Sequence, residues 1–156
     1  MLLNYIPDGQ NRKAFVKGIE NLFDDLRFVY RPMLAEDCAI LNGKIIEVGG
    51  QNSEPGMELI RLEMVDRIIS WDLLDDKKKP LKVDENSVRR LQSELFYRVY
   101  LIIKGQEAGN VDPQARKEEI LEEVRTRVAA KTSGQTVGQV REEAQEKNSN
   151  SGSVSS

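Results

Sequence analysis

Pairs of like charges are the residues of this chain whose types and spacing come nearest to chemistry. Two carboxylates held together serve general acid–base work or a two-metal centre, and Asp24-Asp25 and Asp75-Asp76 are adjacent pairs of that kind. Neighbouring acids point apart on a helix or a strand, and both pairs stand beside turns, so solvated turn acids are the expected reading. Asp72 follows an apolar run and is expected to cap a turn. Lys77-Lys78-Lys79 and Arg89-Arg90 could meet a phosphate, but Asp75, Asp76, Asp84 and Glu85 balance them. A solvated, mixed-charge face accounts for both clusters.

The remaining chemistry is limited by what the 156 residues lack. There is no histidine, which excludes Ser-His-Asp and Cys-His nucleophile systems and imidazole metal ligands from this sequence. One cysteine, Cys38, allows no intrachain disulfide and no multi-thiolate zinc centre. Its neighbours at helical spacing, Leu34 and Leu41, mark it as a buried structural thiol. Gly49-Gly50 lacks the Lys-Ser/Thr that completes a phosphate loop, and Gly105 and Gly109 do not have dinucleotide-binding spacing. Trp71 reads as a core anchor, with a binding hot spot as the rarer alternative. The chain is therefore expected to be non-enzymatic, with no cofactor and no metal.

Charge and length bound the class. A net charge of −3 argues against a dedicated nucleic-acid binder, and 156 residues suit one domain. The opening Met1-Leu2-Leu3-Asn4-Tyr5-Ile6-Pro7 turns polar too soon for a signal sequence. The longest continuous apolar stretch of this kind, Val99 to Ile103, is far short of the roughly 20 residues of a membrane span. A reducing cytoplasm without membrane attachment is the expected setting.

The elements that must position these residues alternate between two periods. Leu26, Phe28 and Tyr30 alternate with Arg27 and Arg31, the signature of a half-buried strand. Leu2 to Ile6 and Ala14 to Val16 are weaker strand candidates, separated by a turn at Pro7-Asp8-Gly9. Pro32 is expected to open a helix carrying Met33, Leu34, Cys38 and Leu41 as far as a cap at Asn42-Gly43. Gly49-Gly50-Gln51-Asn52 reads as a break, and Ser53 as the N-cap of a helix with Met57, Ile60, Met64 and Ile68 on one face.

Ile68 to Leu73 is expected to run extended, Asp75 to Pro80 to turn, and Leu81-Lys82-Val83 to form a short pairing strand. Asp84 can cap a helix interrupted near Gln92-Ser93, whose stripe is Val88, Leu91, Leu95, Val99 and Ile102. Gly105 stops it. Asp112-Pro113 opens a last helix whose sizeable apolar residues are Ile120, Leu121, Val124 and Val128. So narrow a stripe means a surface helix docked along one edge or a partner-binding helix. From Thr132 onward Ser, Thr, Asn, Gln and Gly dominate, and the segment is expected to stay unstructured. The fold expectation is a small α+β domain, with N-terminal antiparallel strands and helices on one face. Its body spans 1–110, its C-terminal helix 111–131 and its polar tail 132–156.

One stretch resembles a known family. Ile68-Ile69-Ser70-Trp71-Asp72-Leu73, a charged turn, Pro80-Leu81-Lys82-Val83, and a helix through Leu91, Leu95 and Ile102-Ile103 to Gly105 is similar to tail assembly chaperone-like proteins of long-tailed bacteriophages. The strand Leu26 to Arg31 leading through Pro32 into a helix is similar to their opening half, so the resemblance covers roughly residues 14–105. It implies a non-enzymatic protein of the host cytoplasm that reversibly binds tape-measure and tail-tube proteins during tail assembly. The alternative is a structural virion component, a connector or minor tail protein. The expected partner-binding residues are Ile120, Leu121, Val124 and Val128, and self-association is compatible with the sequence. Truncation after Gly109 is expected to remove partner binding and leave the body folded.

Overall fold

The computed structural model describes residues 4–133, in two units, a body up to Val111 and a second unit from Asp112. The body is a small α+β fold. A three-stranded antiparallel sheet, β1 (Arg12–Val16), β2 (Leu26–Tyr30) and β3 (Ile68–Trp71), has β2 in the middle. The register pairs Ala14 with Phe28, Val16 with Leu26 and Phe28 with Trp71, with an irregularity between Val29 and Tyr30. Alternation along β2 therefore works as its sequence requires. Leu26, Phe28 and Tyr30 enter the core together with Val16 and Ile68. On the opposite face the Arg27 guanidinium lies 4.7 Å from the centre of the Phe15 ring, its cross-strand partner.

Four helices complete the body: α1 (Ala35–Glu47), α2 (Glu54–Arg67), α3 (Glu85–Arg89) and α4 (Ser93–Ile103). Helix α4 supplies the densest share of the core, with Leu95, Phe96, Val99, Tyr100, Ile102 and Ile103 all buried. Ile60 and Met64 of α2, Leu41 and Ile45 of α1, and Val88 of α3 join the same cluster. The caps are those written in the sequence. The Gly56 amide donates to Ser53 Oγ (3.1 Å), and the Ser87 amide donates to Asp84 Oδ1 (2.8 Å). Gln92 caps α4 after the expected interruption, accepting from the Glu94 and Leu95 amides.

Four local expectations give way to tertiary contacts. Pro32 does not open a helix. The Arg31 amide donates to the Arg67 carbonyl, Arg67 Nη1 donates to the Pro32 carbonyl, and the Met33 amide donates to the Ile103 carbonyl. Those three bonds hold 31–33 extended across two helix ends, so α1 begins only at Ala35. It then runs through Asn42-Gly43 to Glu47, because Ile45 continues the buried row from Leu41. The turn after it uses Gly49 and Gly50 at φ +117° and +98°. Residues 4–6 form no strand, although the turn after them closes through the Gln10 amide on the Pro7 carbonyl. Leu81-Lys82-Val83 forms no strand; the pairing there is an isolated bridge between Leu74 and Pro80, with the Leu81 amide donating to the Leu73 carbonyl.

The free edge of β1 is shielded by a single residue. Along β1, the Asn110 amide donates to the Phe15 carbonyl (2.7 Å), and Asn110 Oδ1 accepts from the Lys17 amide (2.9 Å). Beside β3, Trp71 Nε1 donates to the Leu81 carbonyl (2.8 Å), and the Leu81 amide donates to the Leu73 carbonyl. Open sheet edges invite pairing with other chains, and Asn110 occupies part of the β1 edge.

The second unit contains α5 (Pro113–Thr132). Asp112 caps it by accepting from the Gln114 amide, and Pro113 takes the first helical position. Thr132 and Ser133 close the helix, so it runs one residue beyond the expected 131. The rest of the segment expected to stay unstructured, 134–156, lies outside the described residues, as do Leu2 and Leu3.

Candidate partner-binding face

One acid of each adjacent pair, Asp25 and Asp75, holds a turn. Asp25 Oδ1 accepts from the Gly18 amide (2.7 Å), closing the β1–β2 loop. Asp75 Oδ1 accepts from the Lys77 and Lys79 amides, an Asx turn built on the lysine run itself. Asp72 Oδ1 accepts from the Arg27 amide, and the Asp72 amide returns a bond to the Arg27 carbonyl, which extends the β2–β3 ladder by one residue. Trp71 is partly buried against the core and spends its indole N–H on Leu81. Cys38 is half-buried on α1, its thiol donating to the Lys104 carbonyl at 3.8 Å. Among the described residues no group of three or more Cys, Asp or Glu side chains could hold a metal ion.

Two charged clusters are structural for the same reason. Arg67, near the end of α2, meets Glu63 (3.1 Å), Asp37 (3.3 Å) and the Pro32 carbonyl, tying α2 to the start of α1. Arg61 is buried between Glu54 (3.3 Å) and Glu85 (3.6 Å), tying α2 to α3. The Ser87 hydrogen bonds that make Asp84 a cap also hold its carboxyl below its usual range. Burial pushes the Tyr100 hydroxyl up to about 12, and Cys38 and Glu63 nearby act in the same direction. A depression of about 660 Å³ lies in the β1–β2 loop, lined wholly by 18–25. No second element contributes to it.

The expected partner-binding residues lie together on α5. At about 100° per residue, Ile120, Leu121, Val124 and Val128 fall within an arc of about 100°, over a length of about 12 Å. Each keeps between 44% and 58% of its surface exposed, and no residue of α5 is buried. Lys117 and Lys131 fall on the same arc at its two ends. One border carries Glu118 and Arg125, the other Arg116, Glu123 and Arg127.

The helix is supported from within. Arg116–Glu119 (3.0 Å), Arg125–Glu122 (3.6 Å) and Arg127–Glu123 (3.5 Å) pair along it, all solvent-exposed. Such pairs contribute a few tenths of a kcal/mol each, on the order of 0.3–0.5. An amphipathic helix normally gains most of its stability by burying its apolar stripe. Here the stripe is presented.

Sequence reasoning found the stripe but missed Asn110. Besides bridging β1, its Oδ1 accepts from Arg98 Nη2 (3.3 Å) on α4. Gly109 precedes it because a Cβ there would come within 2.9 Å of the Phe15 carbonyl oxygen. The Gly109-Asn110 dipeptide was the available signal. Asn110 thus belongs to the body, which ends at Val111.

Among the described residues no helix is long and apolar enough to cross a membrane. No family model, curated protein or solved structure matches the chain.

Proposed function

We propose that this chain is a protein-binding adaptor of the tail assembly chaperone type, non-enzymatic and without a cofactor, acting in the host cytoplasm of a long-tailed bacteriophage. Its clients are the tape-measure and tail-tube proteins. The observation that supports this reading is the α5 stripe, Ile120, Leu121, Val124 and Val128, half-exposed on a helix that buries nothing. A chaperone needs an apolar face that can exchange partners and enough charge around it to stay in solution. Helix α5 combines the two, with charged borders on either side of a short apolar strip.

The test is a holding assay. A phage tape-measure protein produced alone is mixed with the full chain or with the chain ended after Val111, and the soluble fraction is measured. The full chain should keep the client in the supernatant and the shortened chain should not, while near-ultraviolet dichroism shows the body intact. Equal performance by the two refutes the assignment to α5. Mass spectrometry of purified particles gives the second readout. A chaperone is absent from them, whereas a constant copy number per particle would make the chain a connector or minor tail protein.

A further inference from the structure

We propose that α5 also pairs with α5 of a second copy of this chain, antiparallel, through the same four apolar residues. The partner is identified by charge. In heptad terms Leu121 and Val128 take a positions and Val124 a d position. Glu118 and Arg125 then lie seven residues apart at e, on one border of the stripe. Antiparallel helices bring e against e, so Glu118 of each copy meets Arg125 of the other, twice per dimer. Leu121 packs against Val124 of the second copy in both central layers, Val128 meets the aliphatic stem of Lys117 in the two outer ones, and Ile120 lies along the aliphatic stem of Arg127.

The parallel arrangement lacks this complementarity. It would set Ile120 against Arg125 and Arg127 against Thr132, and it would stack Lys117 on Lys117 and Lys131 on Lys131. Opposed helix dipoles favour the antiparallel pair as well. Glu118 is free to serve: among the described residues it takes part in no ion pair, and Arg125 is held only by an exposed contact with Glu122 at 3.6 Å. This inference stands on α5 alone and does not require the chaperone reading. If both hold, the self-pair covers the stripe until a client displaces it.

The experiment is sedimentation equilibrium of the full chain from about 10 to about 500 µM, where mass action draws out weak dimers. The average mass should climb from 17.7 kDa toward twice that value with concentration. Glu118→Arg or Arg125→Glu alone places like charges opposite each other at two points and should raise Kd roughly tenfold. The double variant E118R/R125E should return Kd to within about threefold of the parent, since it exchanges the charges and keeps the pairs. Far-ultraviolet dichroism verifies that each variant keeps its helix. A monomer across the whole range overturns the proposal, as does a double variant no tighter than the singles. So does a dimer that survives ending the chain after Val111. Binding only to a tape-measure protein, with no self-association, refutes this inference and leaves the proposed function standing.

Discussion

Gly56→Ala should destabilise the body even though it exchanges glycine for the best helix former inside a helix. On propensity alone the substitution in α2 would stabilise by about 1 kcal/mol. The structure reverses the sign. A Cβ on Gly56 would fall well inside contact distance of the Gly50 carbonyl oxygen, 2.9 Å from its carbon and 3.0 Å from Ser53 Oγ. Those atoms belong to the turn between α1 and α2, so nothing flexible can swing aside. Ser53 Oγ donates to the Gly50 carbonyl at 2.6 Å and accepts from the Gly56 amide, and the Ser53 amide also donates to Gly50. Relieving the clash means separating the helix start from the turn, which weakens about three hydrogen bonds at roughly 1 kcal/mol each. Less the propensity gain, the net loss should be about 2 kcal/mol.

The control is the same substitution at Gly43, mid-helix in α1, where a Cβ would meet nothing within 4 Å. There propensity acts alone, and Gly43→Ala should stabilise by about 0.5–1 kcal/mol. Urea denaturation of both variants, followed by Trp71 fluorescence, reads the two signs side by side. A Gly56→Ala midpoint at or above that of the parent would refute the claim that the α1–α2 turn is packed against the helix start.

Three further outcomes follow from the contacts. Trp71→Phe keeps a ring in place but strips the Leu81 carbonyl of its donor, and should cost about 1–2 kcal/mol in thermal unfolding followed by far-ultraviolet dichroism. Ending the chain after Val111 should leave the body's denaturation midpoint unchanged. Ending it after Gly109 removes Asn110 with its bonds to Phe15, Lys17 and Arg98, and should cost about 2 kcal/mol; equal midpoints would deny Asn110 its bridging role. Tyr100 sets an alkaline limit, because its hydroxyl titrates near 12 in the fold against 10.0 in an open chain. Below pH 10 both states keep the proton and nothing is lost. Between 10 and 12 only the unfolded chain releases it, so stability should fall by up to about 3 kcal/mol. Tyr100→Phe should make that part of the pH profile shallower, leaving the share of Tyr30, whose hydroxyl burial also pushes up.

What could be read from the sequence was whatever a short segment decides for itself. The alternation of Leu26, Phe28 and Tyr30, the caps Ser53, Asp84 and Asp112, the stop at Gly105 and the α4 stripe all show as patterns within a few residues, and all are present in the fold. The misplaced boundaries depended on distant partners. Nothing near Pro32 announces that the ends of α2 and α4 will hold its neighbours extended, and nothing near Gly43 announces that Ile45 will be buried. Asn110 bonds to residues more than 90 positions away, as Lys17 shows. The candidate face was legible because it needs only the helical period of α5.

The size of that face fixes how it can be used. Burying a Val or Leu side chain completely is worth about 1.5–3 kcal/mol, and each of the four is already about half covered by its own helix, leaving roughly 1 kcal/mol apiece. Two stripes facing each other therefore gain about 8 kcal/mol, against an association cost on the order of 4–15 kcal/mol. A self-pair of that kind is weak, which is why its charges decide its orientation and why it must be sought at high concentration. On the proposed reading, a long client helix would add apolar contact beyond the 12 Å of the stripe while the stripe's own contribution stayed the same, and so would displace the second copy on area alone. A stripe of this size would then hold a client firmly enough to shield it and loosely enough to give it up, and a larger stripe on α5 would remove the second property before it improved the first.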